Sequence, residues 1–176
     1  MNKIHIFLFA SIVMFVSGCN SVPIKDMQFD AQADPKAKFS AYKSYAWLGT
    51  AAIINDSYGQ WEPPEFDADN EIKFLIDREL RKRGMSEDSV APDLFISFAA
   101  GVDMDALGLK KEPDTQMKIL DNVPQGGLVL AILDSDTGFV IWIGSVIGEV
   151  QPNMDAKSAK ARLDYAVTQL LKKMPK

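Results

Sequence analysis

GLVLAILDSDTGFVIWIGSVIGEV, residues 127–150, consists of two apolar runs around one polar loop. The loop reads Asp134, Ser135, Asp136, Thr137, Gly138, a turn-forming series that ends in glycine. Two apolar runs joined in this way form a β-hairpin. Both arms are apolar at nearly every position, and strands of that kind are ordinarily covered on both faces. A layer of helices covers one face. The other must meet the chain's own loops or a partner, because a bare apolar sheet pairs with other chains.

The segments on either side supply the layers. Residues 153–176, NMDAKSAKARLDYAVTQLLKKMPK, read as a helix that Asp155 can cap. Its apolar face is Ala159, Leu163, Ala166, Val167, Leu170, Leu171 and Met174, and Lys172 and Lys173 stand in the last turn before Pro175. Residues 91–101, APDLFISFAAG, read as a strand apolar on both faces. Residues 67–84 form the clearest helix. Asp67 or Asp69 can accept a free backbone N–H at its start, and Ile72, Leu75, Ile76 and Leu80 make one stripe. Acids crowd its first turn and Arg81, Lys82 and Arg83 its last, which suits the helix dipole. Gly84 can adopt the left-handed stop. Residues 41–49, AYKSYAWLG, make an aromatic strand with Tyr45, Trp47 and Lys43 on one face. Residues 24–30 alternate as a short strand. The expected fold is α+β: a mostly antiparallel or mixed sheet of about five strands, two helices packed chiefly on one face, in the order β-β-α-β-β-β-α.

Two stretches read as loops. Residues 49–66 contain Gly49, Gly59 and Pro63-Pro64. Tyr58 and Trp61 within them are a candidate contact patch, unless they fold back over the edge of the core. The acids Glu62, Glu65, Asp67, Asp69 and Glu71 lack the twelve-residue calcium loop pattern and read as capping and solvated charge. Residues 101–126 show no sustained period. A loop of that length is usually functional or mobile, and Asp103 and Asp105 join Tyr58 and Trp61 as candidate contact residues. A disordered insertion is the alternative.

The N-terminus decides location. Residues 6–16, IFLFASIVMFV, are almost wholly apolar and follow Lys3. As a helix, eleven residues reach about 17 Å, short of the roughly 30 Å a bilayer span requires. The length suits the apolar core of a secretory signal peptide. Val16-Ser17-Gly18-Cys19 then resembles the lipobox of bacterial lipoproteins, with Val16 where Leu is usual. The resemblance implies cleavage before Cys19, a diacylglyceryl thioether on its sulfur and often an amide-linked third chain. Thiolate nucleophilicity is the chemical reason for a cysteine there, and two or more acyl chains anchor stably. Asn20, rather than Asp, follows the cysteine, which by the same resemblance favours the outer membrane of a Gram-negative bacterium, facing the periplasm. The expected organisation is residues 1–18 as lipoprotein signal peptide, 19–23 as lipidated cysteine and short tether, and 24–176 as a single α+β domain.

Composition excludes more than it identifies. The chain has 19 basic and 24 acidic residues, a net charge of −5, and one cysteine and one histidine. The histidine, His5, and the basic Lys3 leave with the signal segment. An acidic, mixed surface argues against nucleic acid as a partner. Without histidine or a free thiol there is no Ser-His-Asp or Cys-His triad, no histidine base and no usual zinc, copper or haem ligand set. No cofactor or metal is expected.

The pieces also resemble a family. FSAYKSYAW (residues 39–47), Gly84 after the first helix, Pro92-Asp93-Leu94 opening a strand, Gly127-Leu128 before an Asp-containing hairpin, and Trp142-Ile143-Gly144 are similar to the bacterial lipoprotein family known as domain of unknown function 4136. Ile143 stands where that family tends to have a basic residue. The resemblance implies an envelope lipoprotein with an α+β domain and implies no activity. Tyr45, Trp47 and Trp142 read as core aromatics rather than a ligand box.

The expected function is that of a non-catalytic interaction or binding module, held at the membrane through Cys19, with an envelope protein or a second copy as partner. One alternative is a carrier of a small apolar ligand or lipid, its cavity mouthed by residues 101–126. Another is a histidine-free hydrolase of envelope polymers that uses two carboxylates among Asp103, Asp105, Glu112 and Asp114.

Overall fold

The computed structural model describes residues 22–176. The expected signal peptide, Cys19 and the expected tether up to residue 21 lie outside the described residues. The elements in chain order are β1 (Gln28–Ala33), β2 (Ser44–Asn55), α1 (Ala68–Lys82), β3 (Ser86–Glu87), β4 (Leu94–Asp103), β5 (Leu107–Lys111), β6 (Lys118–Asn122), β7 (Gln125–Asp134), β8 (Val140–Glu149) and α2 (Ala156–Lys172), with a 3-10 turn at Phe39–Ala41. Six strands form one mixed sheet in the order β1-β8-β7-β4-β2-β3, and β5 and β6 form a two-stranded sheet of their own. The α+β class and the two helices agree with the sequence reading. The strand count and order do not: the expected five-strand order omits β3, β5 and β6.

The local signals that build the elements are the expected ones. Asp67 accepts from Asn70 N at 3.0 Å and caps α1, and Asp155 accepts from Ser158 N at 2.8 Å and caps α2. Gly84 takes φ +81°. Gly84 N and Met85 N then donate back to the Arg81 and Leu80 carbonyls, which satisfies the end of α1. β7 and β8 form the hairpin around residues 134–139.

One face of the main sheet is the core. Leu94, Ile96 and Phe98 of β4, Leu128, Leu130 and Ile132 of β7, and Trp142 and Val146 of β8 are buried. They form one cluster with Ile72, Leu75, Ile76 and Leu80 of α1 and Ala166, Val167, Leu170 and Leu171 of α2. Arg78 joins the helices with a two-pronged grip on Asp164, 2.7 Å to each oxygen. Trp142 lies across Gly144, where an added Cβ would stand 2.4 Å from the indole ring. Its buried Nε1 has no hydrogen-bond partner among the described residues.

Three boundaries differ from the sequence reading. The first strand is Gln28–Ala33 rather than residues 24–30, because Asp26 turns back to bond Arg162 and the backbone of Glu149. β2 runs on to Asn55 through residues read as loop, since residues 49–55 pair in parallel register with β4. A bulge between Trp47 and Gly49 accommodates the change. Residues 101–126 contain the β5–β6 hairpin, in register from Leu107↔Asn122 to Lys111↔Lys118.

Candidate functional site

The candidate contact residues meet at one corner. Asn55 and Asp103 are register partners at the shared end of β2 and β4. Asn55 Nδ2 donates to Asp103 Oδ1 at 2.8 Å, and Asp105 N donates to the same oxygen at 3.1 Å. Ser57 N and Oγ both donate to Asp105 Oδ2, at 3.1 and 2.6 Å. Asp56 accepts from Gln60 N and Trp61 N at 2.9 and 2.7 Å, and these backbone donors hold its carboxyl below the usual range. Asp103 and Asp105 therefore staple the loop that carries Tyr58 and Trp61. Tyr58 is 80% exposed and presents a surface; Trp61 is half-buried.

Of the acids named for a hydrolase, Asp103, Asp105 and Glu112 are otherwise engaged. Glu112 accepts from Thr115 Oγ1 at 2.5 Å in the β5–β6 turn. A cavity of about 230 Å³ near residues 151–158 contains Asp155, which caps α2. A second, of about 450 Å³, lies between the 3-10 turn and the C-terminal ends of both helices. Its one acidic side chain, Glu79, is paired with Arg78 and Lys82. Neither cavity brings two acidic side chains together, and neither is lined by residues 101–126. Among the described residues no group of three His, Cys, Asp or Glu side chains is placed to hold a metal ion.

The aromatic motif is structural. Tyr45 is buried and donates to Asp77 Oδ1 at 2.8 Å; Trp47 Nε1 donates to the same oxygen at 3.1 Å. Burial, and then the Asp77 carboxylate, push the Tyr45 hydroxyl far above its ordinary value. Lys73 lies 4.9 Å over the Trp47 ring. The motif thus fastens α1 to β2. Asp93 fastens β4 to the start of β2 by accepting from Lys43 N and Ser44 N at 2.6 and 2.9 Å.

Sequence reasoning found the apolar hairpin and its need for cover on a second face but not which residues would face outward. Opposite the helices, Ile53, Val129, Ile143 and Ile147 are 61, 41, 41 and 47% exposed. Register places the small residues Gly49, Ser97, Ala99, Ala131 and Gly127 among them. From the Phe95–Leu133 pair to the Gly101–Gly127 pair, this face of β4, β7 and β8 carries no charged side chain. Beside it, β2 beyond Tyr45 has no partner on its outer edge among the described residues, because β3 pairs with Ser44 and Tyr45 only. Leu48 to Asn55 on that edge contain neither charge nor proline, the usual protections of an edge strand.

The family profile described as domain of unknown function (DUF4136) matches residues 29–176. The chain belongs to this family. The family resemblance drawn from the sequence is thereby confirmed. A DUF4136 family protein from Bacteroides thetaiotaomicron shares the fold, with a TM-score of 0.56 at 11% identity over 85% of this chain and 96% of that one. Looser likenesses are a PelC dodecamer from Paraburkholderia phytofirmans (TM-score 0.47, 11% identity, 82% of this chain and 94% of that one) and the lipoprotein GNA1162 from Neisseria meningitidis (TM-score 0.34, 16% identity, 74% and 98%). No curated protein matches the chain in sequence. Within this DUF4136 domain, no described helix is long and apolar enough to cross a membrane.

Proposed function

We propose that this DUF4136 protein is a lipid-anchored envelope lipoprotein that acts as a non-catalytic interaction module. Cys19 carries the diacylglyceryl anchor, and Asn20 directs the protein to the periplasmic side of the outer membrane. The observation that carries the reading is the open sheet face: exposed Val129, Ile143 and Ile147 on strands β4, β7 and β8, which carry no charge there, with Asp30 of β1 beside Ser145 at its border. Exposed contiguous apolar surface on a soluble domain marks an interaction site. A second copy of the chain is the occupant we assign. Two such faces meet through the uncharged strands β4, β7 and β8, with Asp30 of the edge strand β1 left at the rim, and small residues between β-branched ones give ridges and hollows that interdigitate.

The test is site-specific photo-crosslinking in living cells from positions 129 and 143, read by mass spectrometry. Adducts to the chain itself support self-association. Adducts to a different envelope protein keep the interaction module and replace the occupant. No protein adduct, together with a monomer at all concentrations in sedimentation, overturns the reading.

A second reading has one observation in its favour. The cavity of about 450 Å³ has Phe39, Met85 and Leu171 among its lining residues, with Lys43, Lys82, Arg83, Lys172 and Lys176 also around it. That combination of apolar wall and cationic groups suits a small anionic amphiphile. Native mass spectrometry of protein released gently from cells should show the bound mass; its absence counts against the carrier.

A further inference from the structure

The β5–β6 hairpin is built like a surface-seeking element. Leu109 and Leu120 are direct cross-strand partners, and Leu107 lies two residues from Leu109 on the same face. These three leucines are 65–67% exposed, and Met117 in the turn is 66% exposed. Farther toward the turn, the same face carries Lys111 directly opposite Lys118. Like charges in that relation repel. Among the described residues neither lysine is in an ion pair, whereas Lys110 on the other face reaches Asp121 at 3.8 Å. A two-stranded ribbon alone is marginal in water. Here one face combines bare leucines with two ammonium groups outside any ion pair, the acids Glu112 and Asp114 standing in the turn beyond them; leucines followed by lysines suit an element that meets lipid acyl chains and phosphates together.

Its position in the fold names the surface. The hairpin springs from the end of the sheet where Asp103 pairs with Gln125 and Gln125 with Glu149. The N-terminal segment enters at that same end. Gln28 pairs with Ile147, and Arg162 binds Asp26, the Pro23 carbonyl and the Glu149 carbonyl. β1 and β4 are three strands apart, so the entry point and the hairpin base are separated by about 15 Å across the sheet. Cys19 precedes Val22 by three residues, which span at most about 10 Å. Five-residue strands extend about 17 Å. The tether is thus shorter than the hairpin that leaves from the same end.

We propose that the β5–β6 hairpin is a second membrane contact, laying Leu107, Leu109 and Leu120 into the headgroup–acyl boundary beside the anchor and placing Lys111 and Lys118 on lipid phosphates. This rests on the lipid-anchor reading of Cys19. It adds an orientation: the hairpin end of the sheet faces the bilayer, and the opposite end, with Asp134 and Val90, faces away.

The test uses the full processed chain, returned to vesicles of phosphatidylethanolamine and phosphatidylglycerol, with a photo-crosslinking side chain at position 109 or 120. A third protein carries it at position 90, which is 93% exposed next to the start of β4 at the far end of the sheet. Intact mass reads the anchor separately. The expected result is a diacylated Cys19, lipid adducts at 109 and 120 at least five-fold above those at 90, and a several-fold drop at 109 in the K111E/K118E protein. A diacylated Cys19 with equal adducts at 109 and 90, or with protein adducts in place of lipid at 109, overturns the hairpin proposal and leaves the anchor standing. An unmodified Cys19 overturns the anchor and the proposal with it.

Discussion

Tyr45 and Trp47, two residues apart on β2, donate hydrogen bonds to one oxygen of Asp77 on α1, at 2.8 and 3.1 Å. A strand and a helix separated by a long connection are locked by a single carboxylate. Asp77→Ala strips the acceptor from a hydroxyl on a side chain that is 1% exposed. An unsatisfied buried donor costs about 1–3 kcal/mol. The expected fall in Tm is roughly 2–12 °C for a domain of this size. Asp77→Asn keeps an oxygen in place and should recover part of the loss in a thermal melt.

Gly144 predicts a second stability defect. A Cβ there would stand 2.4 Å from Trp142 and 2.9 Å from Leu170 Cδ1, both in the packed core. Gly144→Ala should destabilise by about 1–3 kcal/mol through overpacking. Gly84→Ala should cost about 1 kcal/mol for a different reason: there is room for the methyl, but φ is +81°. Urea titrations of the two variants measure both costs, and the Gly144 variant should be the worse.

Acid should unfold the domain through identifiable carboxylates. The Arg162 guanidinium holds Asp26 below its ordinary 3.8, the backbone N–H groups of Lys43 and Ser44 do so for Asp93, and Arg78 does so for Asp164. Each binds a proton more readily in the unfolded chain. Their stabilisation is therefore complete above the unfolded value and is lost as the pH falls through the folded one. Tm should hold between pH 5 and 7 and fall steeply below about pH 4. Asp93→Asn should lower Tm at neutral pH and flatten the acid limb.

The open face predicts a change in association without a change in folding. Val129 and Ile143 are 41% exposed on the side of the sheet away from the helices. Val129→Asp with Ile143→Asp should leave the urea midpoint within the equivalent of about 1 kcal/mol, two surface changes of about 0.5 kcal/mol each. Sedimentation should show the self-association constant weakened at least ten-fold. An unchanged constant would remove this face from the interface.

What was legible in the sequence is what a segment satisfies by itself. Asp67 and Asp155 cap their own helices, Gly84 closes α1, and the apolar stripes of both helices repeat within single segments, so each signal was readable in place. The residue 134–138 loop announced its own hairpin, and the side chains buried on the helix layer were the periodic ones. The aromatic motif was legible as core, but its common acceptor, Asp77, lies some thirty residues away and was not. Residues 49–55 and the β5–β6 strands carry glycine, alanine and lysine that propensity assigns to loops. A strand is completed by another strand's hydrogen bonds, and register with β4 or across residues 112–117 is a property of the folded chain. The uncovered face was a question in the sequence, since every apolar position of 127–150 asked for cover. Only the tertiary structure decided which side the helices took, and so which residues were left facing outward: period-two alternation sorts a strand's side chains into two faces, and the layer packed against one of them determines which is core.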